Sequence, residues 1–309
     1  MDREITQVVQ NIKSLKIQGA RNVAKSAISA LVISSKNSKA KSTTKFYSEL
    51  KKVAEVLSNS RPTEPMMRNM IDEVCTFALA QINSKKSVQE LKKTLLSHED
   101  RILEKMEKEA KHLASYGAKL IPDDAIVLTH CHSSTVARIL KEAKRIGKNP
   151  TVVCFETRPL FQGRTTAAEL AAAGIDTTLS VDGGMNLFMK KADIVLVGAD
   201  SVTSRGDLIN KIGTSTLAHI AKMNDVSFYS AAELFKYSPM TMFGTRERIE
   251  ERDPKEVWDR VPKKVKVSNP AFEAVAAKYI NGYITEVGVI PPQSFFALAS
   301  EKLGIKIHE

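Results

Sequence analysis

Two hydrophobic periods divide the chain. Through residue 118, apolar side chains recur at three- and four-residue steps: Ile5, Val8, Val9, Ile12 and Leu15, then Val23, Ala27 and Ala30, then Phe46, Leu50, Val53 and Leu57. This is the stripe of helices that bury one face. A break at Asn59-Ser60-Arg61-Pro62-Thr63 precedes a helix predicted from Glu64 to about Asn83 and a long charged one from Ser87 to about Tyr116. Ser87 and Glu90 have the spacing of a capping box. Residues 1–118 therefore read as an antiparallel helical domain.

From 119 onward the period changes. Short β-rich runs (Ala125–Thr129, Thr151–Phe155, Thr177–Val181, Ile194–Val197, Ser227–Ser230) alternate with helix-like stretches at 134–146, 164–173, 184–191 and 212–223. Strands spaced by helix-length crossovers imply a parallel sheet covered on both faces. Tyr283-Ile284-Thr285 and the apolar Phe295–Leu303 close the chain. The fold class is α/β, with the sheet domain at 119–309.

Composition narrows the partners. A hydrophobic fraction of 43% describes a globular chain and not a disordered one. No apolar run approaches the roughly 20 residues that span a bilayer, and residues 1–30 lack a signal-peptide core, so no membrane role is expected. Cys75, Cys131 and Cys154 lack metal-ligand spacing and form no disulfide framework, which fits a reducing, cytoplasmic setting. Of the net charge of +11, most lies in residues 1–118, which hold 21 Lys and Arg against 13 Asp and Glu. A basic balance favours phosphate-bearing partners. Aromatics at 6% and the absence of a nucleic-acid motif favour a solvated basic face over nucleic-acid binding.

Open parallel sheets bind ligands beyond the carboxyl ends of their strands, where the strand order reverses. The residues at those ends are Cys131, Glu156 with Arg158, Asp182, Asp200, and Glu233 with Lys236. No G-x-G-x-x-G follows a strand and no G-x-x-x-x-G-K-[ST] occurs, which argues against a dinucleotide enzyme or an NTPase. Cys131 falls just before a helix expected near Ser133-Ser134, where backbone N–H groups favour a thiolate or a bound phosphate. The plainer reading is a small buried hydrophobe, and it is the one assigned to Cys75 and Cys154.

Asp200 leaves a buried strand, where desolvation would raise its pKa and suit it to general acid and then base catalysis. A cap or turn role is its alternative, and Asp182 before Gly183-Gly184 reads equally well as a cap. Asn210-Lys211-Ile212-Gly213-Thr214 offers an amide, an ammonium and a glycine turn ahead of a helix, suited to a sugar hydroxyl or phosphate. Lys236 and Arg61 are candidate phosphate ligands. His130 and His132 flank Cys131 and point to opposite faces if the strand continues, so one or both read as structural, and no metal site is expected.

Taken together, these stretches resemble the superfamily that joins aldose-phosphate isomerases to the regulatory subunits of translation initiation factor 2B. The resemblance runs nearly the full length. It is carried by Gly19-Ala20, Arg61-Pro62-Thr63, Thr129-His130-Cys131-His132-Ser133-Ser134, Glu156-Thr157-Arg158-Pro159, Gln162-Gly163, Gly198-Ala199-Asp200, Asn210–Thr214, Asn269-Pro270-Ala271-Phe272 and Ile284–Pro292. Cys-His-Ser-Ser looks most like the archaeal ribose-1,5-bisphosphate isomerases; methylthioribose-1-phosphate isomerases usually follow their cysteine with Asn.

The resemblance implies a helical N-terminal domain on a Rossmann-like domain and conversion of ribose 1,5-bisphosphate to ribulose 1,5-bisphosphate in AMP salvage. It implies that Cys131 and Asp200 transfer protons, that Asn210 and Lys211 hold sugar oxygens, and that Gly19, Ala20, Arg61, Ser133 and Lys236 secure phosphates. No metal or organic cofactor is needed. The family also implies a homo-oligomer (dimer or hexamer) and raises a nucleotide as candidate activator.

One stretch departs: the isomerases generally carry Arg-Gly-Ala-Gly, and here Gln18-Gly19-Ala20-Arg21 stands, with Arg21 as the substitute cation. A non-catalytic, initiation-factor-like subunit binding a phosphometabolite or a protein is therefore the competing reading.

Overall fold

The computed structural model describes residues 3–305. It divides into two compact units, one taking the chain up to Lys108 with the stretch from Leu303 onward, the other Glu109–Lys302. The division falls within one long helix.

The first unit is helical throughout. α1 (Arg3–Lys13), α2 (Ala20–Asn37), α3 (Thr43–Ser58), α4 (Pro65–Asn83) and the start of α5 (Val88–Leu120) follow the expected periods. Local chemistry marks their starts. Ser42 caps α3 by accepting from Lys45 N at 3.3 Å. Pro65 opens α4, where its missing N–H costs nothing. The Ser87–Glu90 capping box forms: Glu90 Oε2 accepts from Ser87 N at 2.8 Å and Ser87 Oγ accepts from Glu90 N at 3.3 Å. α2 packs on α4 and α3. The buried stripe runs through Ile5 and Ile12, Val23, Ile28 and Leu31, Phe46 and Leu50, Met67, Ile71 and Val74, and Leu91 and Leu95.

The second unit is an α/β sheet. Its chain order is β1 (Ile126–His130), α6 (Ser134–Arg145), β2 (Thr151–Phe155), α7 (Gln162–Ala172), β3 (Thr177–Ser180), α8 (Met185–Met189), β4 (Ile194–Val197), β5 (Ser201–Val202), β6 (Leu208–Lys211), α9 (Thr214–Met223), β7 (Ser227–Ala231), β8 (Phe272–Val275), β9 (Gly282–Thr285), β10 (Gly288–Ile290) and α10 (Phe295–Leu303). The seven-stranded sheet has the order β10-β9-β7-β4-β1-β2-β3, parallel except for β10. The chain winds outward from β1 through β2 to β3, then starts again at β4 and winds the other way through β7 to β9. The reversal lies between β1 and β4. Val127, Leu128, Ile194, Val195 and Leu196 are buried there, as strands covered on both faces require.

The structure adds a second sheet to the one the sequence predicts. β5, β6 and β8 form a separate antiparallel sheet. Asn210 and Lys211, which precede the glycine turn into α9, are on β6, level with Glu273 and Phe272. Their side chains are thereby carried on a hydrogen-bonded strand.

Close approach to the sheet fixes Gly163. A Cβ there would sit 1.8 Å from the Phe155 carbonyl oxygen at the end of β2. Gly163→Ala should lower the free energy of unfolding in urea by about 3 kcal/mol. Gly147→Ala, strained at φ +94° with nothing within 4 Å, should cost only about 1 kcal/mol.

Candidate active site

Cys131 and Asp200 leave the ends of β1 and β4, the two strands that flank the reversal. The β1–β4 register pairs Val127 with Ile194 and Leu128 with Val195. Gly198 has no room for a side chain, since a Cβ would meet Ser133 Oγ at 2.6 Å. Ser133 caps α6, accepting from Val136 N at 3.3 Å. The Asp200 N–H donates to Ile209 O at 3.0 Å, tying the β4 tip to the second sheet.

That sheet brings Lys211 to the site. Lys211 and Asn210 are both buried. Asn210 Nδ2 donates to Thr214 Oγ1 at 3.2 Å, and the Thr214 hydroxyl donates to Lys211 O at 2.6 Å. The Lys211 ammonium lies 4.9 Å from the Phe272 ring centroid. Glu273 Oε1 accepts from Gly213 N at 2.6 Å and Ser215 N at 2.8 Å, which fixes the turn into α9.

The electrostatics of Cys131 differ from the expectation of a helix-favoured thiolate. Burial pushes its thiol up to about 11, the Lys211 ammonium pulls against this, and the carboxylates of Asp200 and Asp182 push further up. Desolvation outweighs the helix terminus because a thiolate loses its hydration across the whole site, whereas the N–H groups act only within the first turn. Lys211, Asp200 and Cys131 thus form one electrostatic cluster.

Asp182 is neither simple cap nor free acid. Its Oδ1 accepts from Thr157 N and its Oδ2 from Arg158 N, each at 2.8 Å, and Oδ1 lies 3.8 Å from His130 Nε2. His130 is buried, with Gly213 packed so closely that a Cβ would meet Nε2 at 2.9 Å. His132 is half-buried, and its Nδ1 lies 3.1 Å from Thr166 Oγ1.

Lys236 is buried and paired with Glu233 at 3.2 Å. Its turn, Leu234–Lys236, is fixed by Glu286, which accepts from Leu234 N at 3.3 and 3.2 Å. Burial raises the Glu286 pKa, and the Lys302 ammonium beside it opposes the rise. Lys302 also reaches Glu109 Oε1 at 2.7 Å.

Gly19, Ala20, Arg21 and Arg61 belong to the helical unit. Gly19 precedes α2 at φ +81°, a conformation that suits glycine. Arg21 is buried; its guanidinium donates to Met106 O at 3.2 Å and lies 3.6 Å from Glu107. Arg61 Nε lies 3.4 Å from buried Glu64. The residues that motif reading left without a role are Thr157, Thr166, Glu273 and Glu286. Thr157 lies in the Glu156–Pro159 stretch, and Thr166 follows the Gln162-Gly163 pair.

Burial holds the His130 pKa down, at about 4. An unfolded histidine titrates near 6.5, so between these values the unfolded chain binds more protons and stability falls with pH. Urea midpoints should drop as pH falls from about 6.5 to 4, by a free energy of about 3 kcal/mol, and His130→Asn should flatten that limb.

The chain has close relatives of known kind. Residues 16–292 match the Initiation factor 2 subunit family. A ribose 1,5-bisphosphate isomerase of Pyrococcus furiosus is 37% identical over 98% of this chain and 95% of its own length. A methylthioribose-1-phosphate isomerase of Acetivibrio thermocellus is 36% identical over 93% of this chain and 88% of its own. The solved structure of translation initiation factor eIF-2B from Pyrococcus horikoshii shares the fold with a TM-score of 0.81 at 29% identity, covering 94% of this chain and 98% of that one. By a match that spans most of its length, the chain belongs to the initiation factor 2 subunit family.

Proposed function

We propose that this protein, an aldose–ketose phosphate isomerase by its relatives, converts ribose 1,5-bisphosphate to ribulose 1,5-bisphosphate. The observation that carries the reading is the electrostatic cluster of Cys131, Lys211 and Asp200 at the reversal between β1 and β4. A site that only bound a phosphometabolite needs neither a thiol nor a carboxylate there.

The chemistry follows from proton accounting. In the reactive form the proton sits on Asp200 and Cys131 is the thiolate. Asp200 donates to the ring oxygen O4 as the C1–O4 bond breaks. The thiolate takes the proton from C2, leaving an enol between C1 and C2. Cys131 returns that proton to C1, and the C2 hydroxyl gives its own to Asp200 as the ketone forms. Both groups end as they began. Protonating Asp200 also removes the larger of the two carboxylate charges that push the thiol up. Lys211 stabilises both the thiolate and the charge that develops on the sugar oxygens. Ser133, Asn210 and Lys236 are assigned to hold the substrate. Arg21, engaged with Met106 and Glu107, is a weak substitute for the missing arginine at position 18.

Purified protein incubated with ribose 1,5-bisphosphate should form ribulose 1,5-bisphosphate, and Cys131→Ser and Asp200→Asn should each lower kcat by about 10³-fold. Turnover of 5-methylthioribose 1-phosphate in preference would reassign the substrate. Absence of turnover on both, with sugar phosphate still bound, would favour the regulatory-subunit reading. Because the reactive form pairs a protonated Asp200 with the Cys131 thiolate, kcat/KM should stay level between the two titrations and fall once pH passes that of the thiol, which burial pushes up to about 11. Lys211→Met should move the alkylation limb of Cys131 to higher pH, and Asp200→Asn should move it to lower pH.

A further inference from the structure

Cys131 adopts φ +66°, in the left-handed region that a residue with a Cβ enters only at a cost. Left to itself, the tip of β1 would relax toward the extended or helical backbone of its neighbours. Two buried hydroxyls hold it. Thr157 Oγ1 accepts from the Cys131 N–H at 2.9 Å and donates to Phe155 O at 3.0 Å. Thr166 Oγ1 donates to the Cys131 carbonyl at 2.9 Å. Both threonines are essentially inaccessible to solvent.

Thr166 has one proton, and Cys131 O receives it. The 3.1 Å contact with His132 therefore has His132 Nδ1–H as donor. Thr157 is itself at φ +65°, and its N–H is held by Asp182 at 2.8 Å. The chain of restraint thus runs from Asp182 through Thr157 to the Cys131 N–H, with Thr166 closing it at the carbonyl. Helical and strand ladders use none of these bonds, so the fold does not need them to form α6 or β1.

We propose that Thr157 and Thr166 are positioning residues that hold Cys131 in its strained conformation and so aim its thiol for proton transfer. This rests on the reading of Cys131 as the group that exchanges the C2 proton. The hydroxyls touch no substrate in this scheme; they act through the backbone of one residue.

The test replaces each threonine with the isosteric Val and with Ser, which keeps the hydroxyl. Thr157→Val and Thr166→Val should lower kcat by about 30- to 100-fold with KM changed less than about threefold, as misplacement of a reacting group does. Thr157→Ser and Thr166→Ser should restore kcat to within about threefold of wild type. The rate and pH midpoint of Cys131 alkylation by iodoacetamide, read by mass spectrometry on that peptide, should change in the Val variants and not in the Ser variants. Strain gives a second readout: Cys131→Gly should melt above Cys131→Ala, because glycine adopts the left-handed region freely.

Unchanged kcat and unchanged alkylation in folded Val variants would overturn the clamp, as would Ser variants that fold and fail to recover. Should wild type lack isomerase activity, the proposed function fails; the alkylation profile of the Val and Ser variants then decides the clamp without it.

Discussion

The parallel pairing of β1 with β4 is the constraint on which the site depends. The chain winds one way from β1 and the other way from β4, so no helix crosses directly over the gap between their carboxyl ends. Val127, Leu128, Ile194 and Val195 are buried on both faces of the sheet, with Val127 paired to Ile194 and Leu128 to Val195. Cys131 and Asp200 are far apart in sequence, and hydrophobic packing pairs the strands that lead into them, close enough that the Asp200 carboxylate acts on the thiol. Gly198 then lets Ser133 and the start of α6 press against the β4 tip. The core therefore sets the geometry of the chemistry without taking part in it.

Desolvation comes with that geometry. The Cys131 thiol is pushed up to about 11, chiefly by burial, and the neighbouring carboxylates contribute to that rise. The opposing charge arrives on a different element. Lys211 rides on β6, which pairs with β8, and its ammonium sits over the Phe272 ring. A cation held by a strand and an aromatic face keeps its place better than one on a turn. The small antiparallel sheet is thus an electrostatic arm of the larger one.

Much of this was legible in the sequence, for a definite reason. Strands buried on both faces leave long apolar runs with a polar residue at the tip, and β1, β2, β4 and β7 were found from such runs. β5 has two residues and β6 four, too short for alternation to register, so the second sheet that carries Asn210 and Lys211 is not legible in the sequence. The acidity of Cys131 was misjudged because a motif displays the helix terminus and hides the solvent exclusion that overrides it. Thr157 and Thr166 escaped for another reason: a hydroxyl that serves a neighbour's backbone looks like any other buried threonine. Arg21 passed for a ligand cation, since sequence cannot show that Met106 and Glu107 already engage it.

The same lesson applies to the phosphate-binding role proposed for Lys236. Its ammonium is buried and paired at 3.2 Å with Glu233, so it is no free cation awaiting an anion. A phosphate dianion reaching it must compete with a carboxylate that shares its low-dielectric surroundings, and the net gain is far smaller than the bare charge suggests. What the pair supplies is position. Glu286 holds the Leu234 N–H, Lys302 holds Glu286, and the turn that carries Lys236 is fixed before any ligand arrives. A lysine that is already desolvated and oriented loses little entropy on binding. In the proposed role, selectivity at Lys236 would come from a fixed ammonium beside a fixed carboxylate, an arrangement that favours ligands able to meet the first without crowding the second.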